Sequence, residues 1–341
     1  MIELVTKENI AEYEQFVENH PQGSYMQSSR WAKQKPDWQW YGFIRRNRRG
    51  FITGTMGVLC RKMPVLPRTL VYACHGPVCE ASDKETICEL LDAARKLARR
   101  ELGYLIRLDP SMQEIARGIF GARGFHGRTG RKYRVARTRR VWQIPLEGRT
   151  PETVMDTFLD EHRHRVSIAM KRGVEVRYGG KELVAHFAQL MEIHSLREGN
   201  VARPMEYYAG LLENFGDMAK IFVAEYEGRT ACAALVIHYG RKAFCVHEAD
   251  DGDINLRARY LLRTAMLQQA MLEGCAEFEF ADVPRDPDTE EYAFVSGFGG
   301  WLTNYVGTLE RVERPVSSLF ADLFDLIGSH IKKWLYFLRV R

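Results

Sequence analysis

The sequence lacks the long apolar run that a membrane-spanning segment requires. No stretch of about 18 consecutive apolar residues occurs in the chain, so no transmembrane helix is predicted. Residues 1–16, MIELVTKENIAEYEQF, carry acids where a secretory signal peptide would have its apolar core. The seven cysteines form no C-x-x-C pair and are odd in number, which argues against a disulfide framework and against a zinc ribbon. Together these absences predict a cytoplasmic protein.

Acidic residues are absent from one whole window, residues 115–146, although the net charge of the chain is only +5. A block of basic residues fills the window instead: Arg117, Arg123, Arg128, Arg131, Lys132, Arg134, Arg137, Arg139 and Arg140. Such a block creates a positive potential that attracts phosphate-bearing partners such as a nucleotide, a lipid pyrophosphate or a tRNA backbone. The alternative is a solvated strand or loop, and the sequence leaves both open.

A long internal repeat is present. Residues 43–127 and 221–300 share the order strand, turn, strand, helix, strand, and then a GF-x-G segment. The landmarks are evenly offset, since Asp282 follows Asp109 by 173 residues (282 − 109) and Phe298 follows Phe125 by 173 (298 − 125). With 341 residues, the repeat predicts two similar α/β domains with mixed sheets and a ligand-binding cleft between them.

The repeated layout is that of GNAT-type acyltransferases, whose central strands splay apart to admit an acyl donor. An acetyl-CoA enzyme of this type has a glycine-rich loop before the helix, where backbone N–H groups hold the pyrophosphate. Here the corresponding segments read CEASDKE (79–85) and DDGDINLRARY (250–260), and neither matches. No Ser-His-Asp or Cys-His spacing stands out either. These departures predict a different acyl donor and no covalent acyl-enzyme.

Five segments occur in order along the chain: QSSRWAKQKPDW (27–38), RLDP (107–110), HRHRVSIAMKRGVEVR (162–177), RPMEYY (203–208) and FVSGFGGWLTNYVG (294–307). Together they resemble the motifs of the Fem family of peptidoglycan interpeptide-bridge aminoacyltransferases. The resemblance implies two tandem GNAT-like domains, 1–146 with about 305–341 and 147–304, without a coiled-coil arm. It also implies transfer of an amino acid from aminoacyl-tRNA to the stem-peptide amine of UDP-MurNAc-pentapeptide or lipid II. No cofactor and no metal are expected, and the protein is expected to be a monomer.

The resemblance also implies where the substrates bind. Lys35 would contact the uridylyl or pyrophosphate part of the acceptor, and Trp31 of the same segment is also expected to bind the substrate. Arg203 and Tyr207 would hold its diphosphate, and Pro204 favours a helix start that places both on one helix face. The alternative for Lys35 is an ordinary surface lysine. The alternative for Arg203 and Tyr207 is a surface arginine beside a core tyrosine.

Further substrate-binding residues are expected in the second domain. His247 falls near a family tyrosine and would line the acceptor cleft, although the acids that follow it leave a metal site open as the alternative. Phe298 and Gly299 belong to the GFGG segment, whose glycines would permit a tight turn or a close approach to a ligand.

Two residues are candidates for the chemistry. Asp109, at the end of a strand, could accept a proton from the attacking amine, bind that amine, or simply cap a turn. The family carries a lysine after the first Phe of its F-K-x-x-F-G-G motif, where it is proposed to stabilise the oxyanion, but this chain has Val295. Arg285 is our first candidate for the missing cation, with Arg257 and Arg259 as alternatives.

The C-terminal residues 317–341, SSLFADLFDLIGSHIKKWLYFLRVR, combine apolar positions at helical spacing with several basic residues. The pattern predicts a helix that packs on the first domain. The alternative is reversible contact with an anionic membrane, which would suit a lipid-linked acceptor.

Overall fold

The structure of the protein is a computed structural model, and it describes residues 1–64, 66–127, 139–253, 256–281 and 283–320. The strands are β1 (Ile2–Leu4), β2 (Gln39–Arg46), β3 (Ile52–Lys62), β4 (Thr69–Ala73), β5 (Val78–Cys79), β6 (Gly103–Leu108), β7 (Arg139–Pro145), β8 (Glu175–Gly179), β9 (Ala219–Tyr226), β10 (Arg229–Tyr239), β11 (Lys242–Asp250), β12 (Glu277–Ala281), β13 (Trp301–Tyr305) and β14 (Leu309–Val312). The α-helices are α1 (Ile10–Asn19), α2 (Ser29–Lys33), α3 (Lys84–Arg100), α4 (Arg117–Gly121), α5 (Asp160–Lys171), α6 (Val184–Arg197), α7 (Met205–Phe215), α8 (Ala258–Leu272) and α9 (Glu290–Ser296).

The chain divides into two units, and each has its own mixed sheet. The first unit contains Met1–Arg139 and the chain from Asn304 onward, and the second contains Arg140–Thr303. We expected the first boundary at 146, but β7 hydrogen-bonds with β12 and therefore belongs to the second sheet. The boundary consequently moves to 139. The return to the first unit comes at 304, one residue before the predicted position.

In the first unit the sheet order is β1-β2-β3-β4-β6-β14, with β5 paired to β3. The pair β4–β6 is parallel, and α3 lies between these two strands in the chain. The Asp83 carboxylate caps this helix by accepting the Thr86 N–H at 3.0 Å. Apolar residues then recur at helical spacing, and Ile87, Leu90 and Leu97 are buried in the core against the strands.

In the second unit the sheet order is β13-β7-β12-β11-β10-β9-β8. The pair β11–β12 is parallel and flanks α8 in the chain, as β4–β6 flanks α3. Leu262, Met266 and Leu267 of α8 are buried in the core of this unit. The landmark phenylalanines of the repeat, Phe125 and Phe298, are 1% and 0% exposed. The repeat therefore produces two copies of one α/β unit, as the sequence predicts.

None of the helices in the described ranges is long and apolar enough to cross a membrane. The longest of them, α3, has 17 residues, so the part of the chain that the structure describes contains no extended helical arm. All seven cysteines have free thiols.

Candidate active site

Asp109 lies at the carboxyl end of the parallel pair β4–β6. Pairing between these strands ends at Ala73 and Leu108, and Asp109 is the next residue of its chain segment. One carboxylate oxygen accepts the Tyr72 hydroxyl at 2.7 Å, and the other accepts the His75 backbone N–H at 2.7 Å. The carboxyl ends of parallel strands are a common location for ligand sites in open α/β sheets.

The environment of Asp109 changes its acidity. Burial raises the pKa of this carboxyl above its usual range, while the Arg139 guanidinium and the two hydrogen bonds oppose the rise. Burial, together with the same carboxylate, raises the pKa of the Tyr72 phenol far above its usual value. Tyr72 therefore stays a neutral donor, and Asp109 is placed to accept a proton or to bind an ammonium group.

The QSSRW segment is largely structural. Gln27 is fully buried, and its amide exchanges hydrogen bonds with the backbone of Gly57 at 2.8 and 3.2 Å. Ser28 caps α2 through the Arg30 N–H. We expected the Trp31 ring to contact the substrate, but it is only 6% exposed and lies in the core. Lys35 is half-buried, with its Nζ 4.9 Å from the Trp31 ring centroid, and its binding role stays a prediction.

In the second unit, Arg203, Tyr207 and His247 form a connected group. The Arg203 guanidinium carbon lies 5.4 Å from the Tyr207 ring centroid, and that ring meets His247 edge-on at 5.7 Å. Arg203 precedes α7 instead of lying on its face as we expected, because Pro204 caps the helix in an extended conformation. The two side chains still meet. Arg203 is exposed and Tyr207 is half-buried.

A cavity of about 640 Å³ opens where β11 and β12 separate. Pairing between them ends at Cys245 and Phe280, and β11 carries an irregularity there against β10, after which it continues to Asp250 with β10 alone. His247 lines this cavity, together with residues of α6, α8 and α9. The two parallel strands therefore separate here, as the sequence predicts for a GNAT-type sheet.

A buried ion-pair network borders the cavity. Glu248 binds Arg263 at 2.8 Å and Arg259 at 3.1 Å, and Arg259 also binds Glu291 through both of its terminal nitrogens. Burial alone would raise the pKa of Glu248, but Arg263 and Arg259 lower it to about 2. The Arg263 guanidinium packs 4.2 Å from the Phe294 ring centroid. Sequence reasoning missed Arg263, although its spacing of four residues from Arg259 indicates a shared helix face.

Two residues of the GFGG segment have packing and backbone roles. Phe298 is fully buried among the rings of Phe158, His162 and Phe294, so its predicted contact with a substrate is not available in this structure. Gly299 has a φ of +83°, and a Cβ there would lie 2.9 Å from the carbonyl oxygen of Thr157. Only glycine suits both requirements.

The candidates for the missing lysine differ in their surroundings. Val295 is 4% exposed within the core of the second unit, so this position does not face solvent. Arg285 is exposed in the loop after β12, and Arg257 is the N-cap residue of α8 with a φ of +56°. Arg259 lines the 640 Å³ cavity. Arg285 stays a prediction, and Arg259 is the alternative that lies at the opening of the sheet.

The described members of the basic block have partners within the protein. Arg117 binds Glu114, Arg123 binds Asp92, and Arg140 donates to the Pro284 carbonyl. Residues 128–138 lie outside the described residues, as do Asp282 and the tail from 321.

The acids that follow His247 are also engaged. Arg197 binds Asp250 at 2.8 Å, and Arg229 binds Asp251 at 2.6 Å and Asp253 at 3.1 Å. These ion pairs account for the acidic cluster that left a metal site open.

A family model, the FemAB family, matches residues 6–123 and 120–235. The chain belongs to the FemAB family. Among its curated relatives is the lipid II:glycine glycyltransferase of Staphylococcus aureus, 30% identical over 238 residues, which covers 66% of this chain and 55% of that protein. The corresponding enzyme of Staphylococcus haemolyticus is 30% identical over 230 residues, with 63% and 54% covered. The chain thus spans about half the length of these relatives.

Solved structures agree with the predicted fold. The crystal structure of FemX superposes with a TM-score of 0.80 at 21% identity, over 94% of this FemAB chain and 100% of FemX. A tandem GNAT protein from the clavulanic acid biosynthesis pathway superposes with a TM-score of 0.55 at 11% identity, over 92% and 98% of the two chains. The predicted family and the tandem GNAT-like fold are confirmed.

Proposed function

We propose that this FemAB protein is an aminoacyltransferase of peptidoglycan bridge formation. Its donor would be an aminoacyl-tRNA, and its acceptor the stem-peptide amine of lipid II or UDP-MurNAc-pentapeptide. The observation that carries the proposal is the cavity at the ends of β11 and β12, with the Arg203–Tyr207–His247 group beside it, in a chain of this family. The staphylococcal relatives are named as lipid II:glycine glycyltransferases, which supports the same class of reaction.

The chemistry needs little more than positioning. The acceptor amine forms a C–N bond with the ester carbon, the ester C–O bond breaks, and its electron pair leaves on the ribose oxygen. Asp109 would take the proton that the amine loses, and this proton then returns to the ribose oxygen. A cation near the carbonyl oxygen would stabilise the transition state, and Arg285 or Arg259 would supply it. An aminoacyl ester is already activated, so no protein nucleophile is required.

The acceptor would be held through its diphosphate. Arg203 can donate two hydrogen bonds to a phosphate. Lys35 is a separate prediction, since its compact positive charge suits the uridylyl or pyrophosphate part of the acceptor. Burial raises the pKa of the Tyr207 phenol, an effect that Arg203 partly offsets, so Tyr207 stays a neutral donor that can complete the contact.

The beginning of α3 does not suit the pyrophosphate of a coenzyme A donor. Asp83 caps this helix, and Glu85 follows in its first turn. These carboxylates occupy the positive end of the helix dipole and would repel phosphate groups. A cavity of about 370 Å³ at the beginning of α8 is lined by both aspartates and arginines, so this repulsion is expected at α3 alone. The beginning of α3 favours a donor other than an acyl-CoA.

A transfer assay tests the proposal. Purified protein is incubated with radiolabelled aminoacyl-tRNAs and either acceptor, and the product is identified by mass spectrometry. We expect transfer by the wild type and by the control Asp217→Asn, whose side chain is exposed, and a loss in Asp109→Asn. Transfer from acyl-CoA instead would establish a different acyltransferase. Binding of either substrate without transfer would establish a non-catalytic binding protein.

We further propose that the protein acts as a monomer in the cytoplasm and reaches a lipid-linked acceptor through its basic C-terminal segment. Flotation with vesicles that contain about 30% anionic lipid tests the contact, because polybasic segments bind such surfaces in a salt-dependent manner. Equal flotation of the full chain and of a chain that ends at residue 316 would exclude the tail as the anchor.

A further inference from the structure

A chain of buried polar groups surrounds Asp109 in the first unit, and these groups have no role in the transfer mechanism proposed above. His75 follows β4, is 8% exposed and has a φ of +56°, which is unfavourable for a residue other than glycine. Its backbone N–H is the group that donates to Asp109 at 2.7 Å. Strained backbone of this kind tends to persist where the surrounding structure has a functional reason to maintain it.

The His75 ring connects Arg139 with Ser24. Nη1 of Arg139 lies 2.8 Å from Nε2 and 3.3 Å from Nδ1 of the ring, and a guanidinium can only donate. Nδ1 also lies 2.8 Å from the Ser24 hydroxyl. His75 is therefore held between these two groups, and it orients the arginine.

Arg139 is held on three sides. Besides the contact with His75, its Nη2 donates to the Ser111 hydroxyl at 2.7 Å. The guanidinium carbon lies 4.4 Å from the ring centroid of Tyr305. A guanidinium with these contacts has little freedom to turn toward solvent, so its charge stays beside Asp109.

The charged and titratable groups that face Asp109 come from several elements. They are Tyr72 of β4, Cys74 and His75 of the following loop, Arg107 of β6 and Arg139 of β7. Arg107 forms an ion pair with the carboxylate of Glu310 at 2.7 Å, so its charge acts on Glu310 as well as on Asp109. Arg139 has no carboxylate partner among the ion pairs of the described residues, so its charge is the one most fully available to Asp109.

We propose that Arg139, clamped by His75 and Ser111, is a positioning residue that holds Asp109 as an ionised carboxylate ready for the acceptor amine. This inference rests on the proposed aminoacyl transfer for its catalytic meaning, but the electrostatic relation between the two residues is independent of it. The proposal also gives Arg139 a role other than binding phosphate.

The first experiment measures Asp109 directly. Carboxyl ¹³C NMR titration of the aspartate-labelled full chain is compared between wild type and Arg139→Met, with Asp109→Asn to assign the resonance. Removing a nearby positive charge favours the neutral acid, so we expect the midpoint of Asp109 to rise by about one unit or more. His75→Asn, a residue type that tolerates positive φ, keeps the backbone N–H but releases Arg139 and should raise it less. An unchanged midpoint in both variants would overturn the proposal.

The second experiment measures transfer against pH. Because Asp109 must be ionised, the acid limb of kcat/KM should move to higher pH in Arg139→Met by the same amount as the NMR midpoint, with an unchanged alkaline limb. The matched control Arg311→Met removes a partly buried arginine that binds Glu313 and the Arg123 carbonyl in the same unit, and its acid limb should stay at the wild-type position.

The two experiments test different claims, so each claim can be contradicted without the other. If the wild type transfers no amino acid, the proposed function fails, while the NMR titration still decides the relation between Arg139 and Asp109. If the NMR midpoint moves but the acid limb does not, Asp109 is not the group that limits transfer, and the positioning role is overturned. If Arg139→Met does not fold, His75→Asn and Arg139→Lys carry the test, since Arg139→Lys keeps the charge and should restore the midpoint.

Discussion

At the scale of single residues, the arginines of this protein divide into those held by the protein and those left exposed. Arg263 is 4% exposed and bound to Glu248, and Arg139 is clamped by His75 and Ser111. Arg203 and Arg285 are exposed. A buried, paired guanidinium mainly orients its neighbours, whereas an exposed one can bind a ligand at a small desolvation cost.

Arg203→Ala tests the proposed acceptor contact. We expect it to weaken binding of UDP-MurNAc-pentapeptide by about 1.5–3 kcal/mol, the usual contribution of a hydrogen bond to a charged group, and Tyr207→Phe to weaken it less. Isothermal titration calorimetry measures the affinity. The control Arg177→Ala removes an exposed arginine that binds Glu225, and it should leave the affinity unchanged. Equal affinities in the Arg203 variant and the wild type would remove Arg203 from the site.

Arg285→Ala tests the replacement of the family lysine. If Arg285 stabilises the oxyanion, its loss should reduce kcat roughly 100-fold to 1,000-fold with little change in the acceptor KM. Single-turnover kinetics measure the rate, and Arg241→Ala, which removes an exposed arginine paired with Glu147, is the control. A rate that stays at the wild-type value would exclude Arg285 and leave Arg259 as the candidate cation. Val295→Lys is a poor rescue, because a lysine at this core position would have to be desolvated.

At the scale of elements, β11, α8 and α9 of the second unit are joined by a network of buried charges. Glu248 projects from β11, its two arginines come from α8, and Glu291 of α9 completes the network. Charged groups in such a network stabilise a fold only when each is paired, so the three elements depend on one another. The cavity at the end of β11 is therefore bordered by paired charges.

Glu248→Gln tests this network through pH. The folded pKa of Glu248 is lowered from 4.5 to about 2, so its ionised form stabilises the fold above pH 4.5, and that contribution is lost as the pH falls toward 2. A shift of this size corresponds to on the order of 3 kcal/mol. Urea unfolding at several pH values should show the variant less stable at pH 7, with the difference from wild type narrowing between pH 4.5 and 2. A difference independent of pH would mean that packing, not charge, explains the loss.

At the scale of the whole molecule, two copies of one fold have acquired different chemistry at the same topological place. The ends of β4 and β6 carry Asp109 and its polar neighbours, whereas the ends of β11 and β12 open into a cavity bordered by Arg259 and Glu248. Both positions follow the last hydrogen-bonded pair of a parallel strand pair. The fold supplies the position, and the local side chains decide the chemistry.

The basic block supplies a prediction at this scale. If residues 128–138 meet tRNA phosphates, affinity should fall steeply with salt, because binding releases counterions. Charge reversal at Arg131 and Lys132 should reduce the slope of log affinity against log salt by the amount that corresponds to about two phosphate contacts. Filter binding at several salt concentrations measures the slope. An affinity that responds neither to salt nor to these substitutions would support the solvated-face alternative.

Much of the architecture could be predicted from local pattern. Helical spacing in 84–100, the repeat offset shared by Phe125 and Phe298, and five ordered motifs led to the family and to the tandem fold. Part of the candidate site was equally readable, because Asp109 and Arg203 lie in those motifs. Phe298 shows the limit of this reasoning: its motif suggested a ligand contact, but its side chain is fully buried. A motif states which residue type is required, and it does not say whether the reason is packing or binding.

The sequence by itself determined the two α/β repeats, the family and the positions of the strand ends, because these depend on periodicity and composition over short windows. Only the tertiary structure decided that β7 joins the second sheet and that Arg139 meets His75, 64 residues earlier in the chain. The physical reason is that such contacts depend on strand register and on which side chains packing brings together across long separations. Neither quantity leaves a periodic signal in the residues concerned.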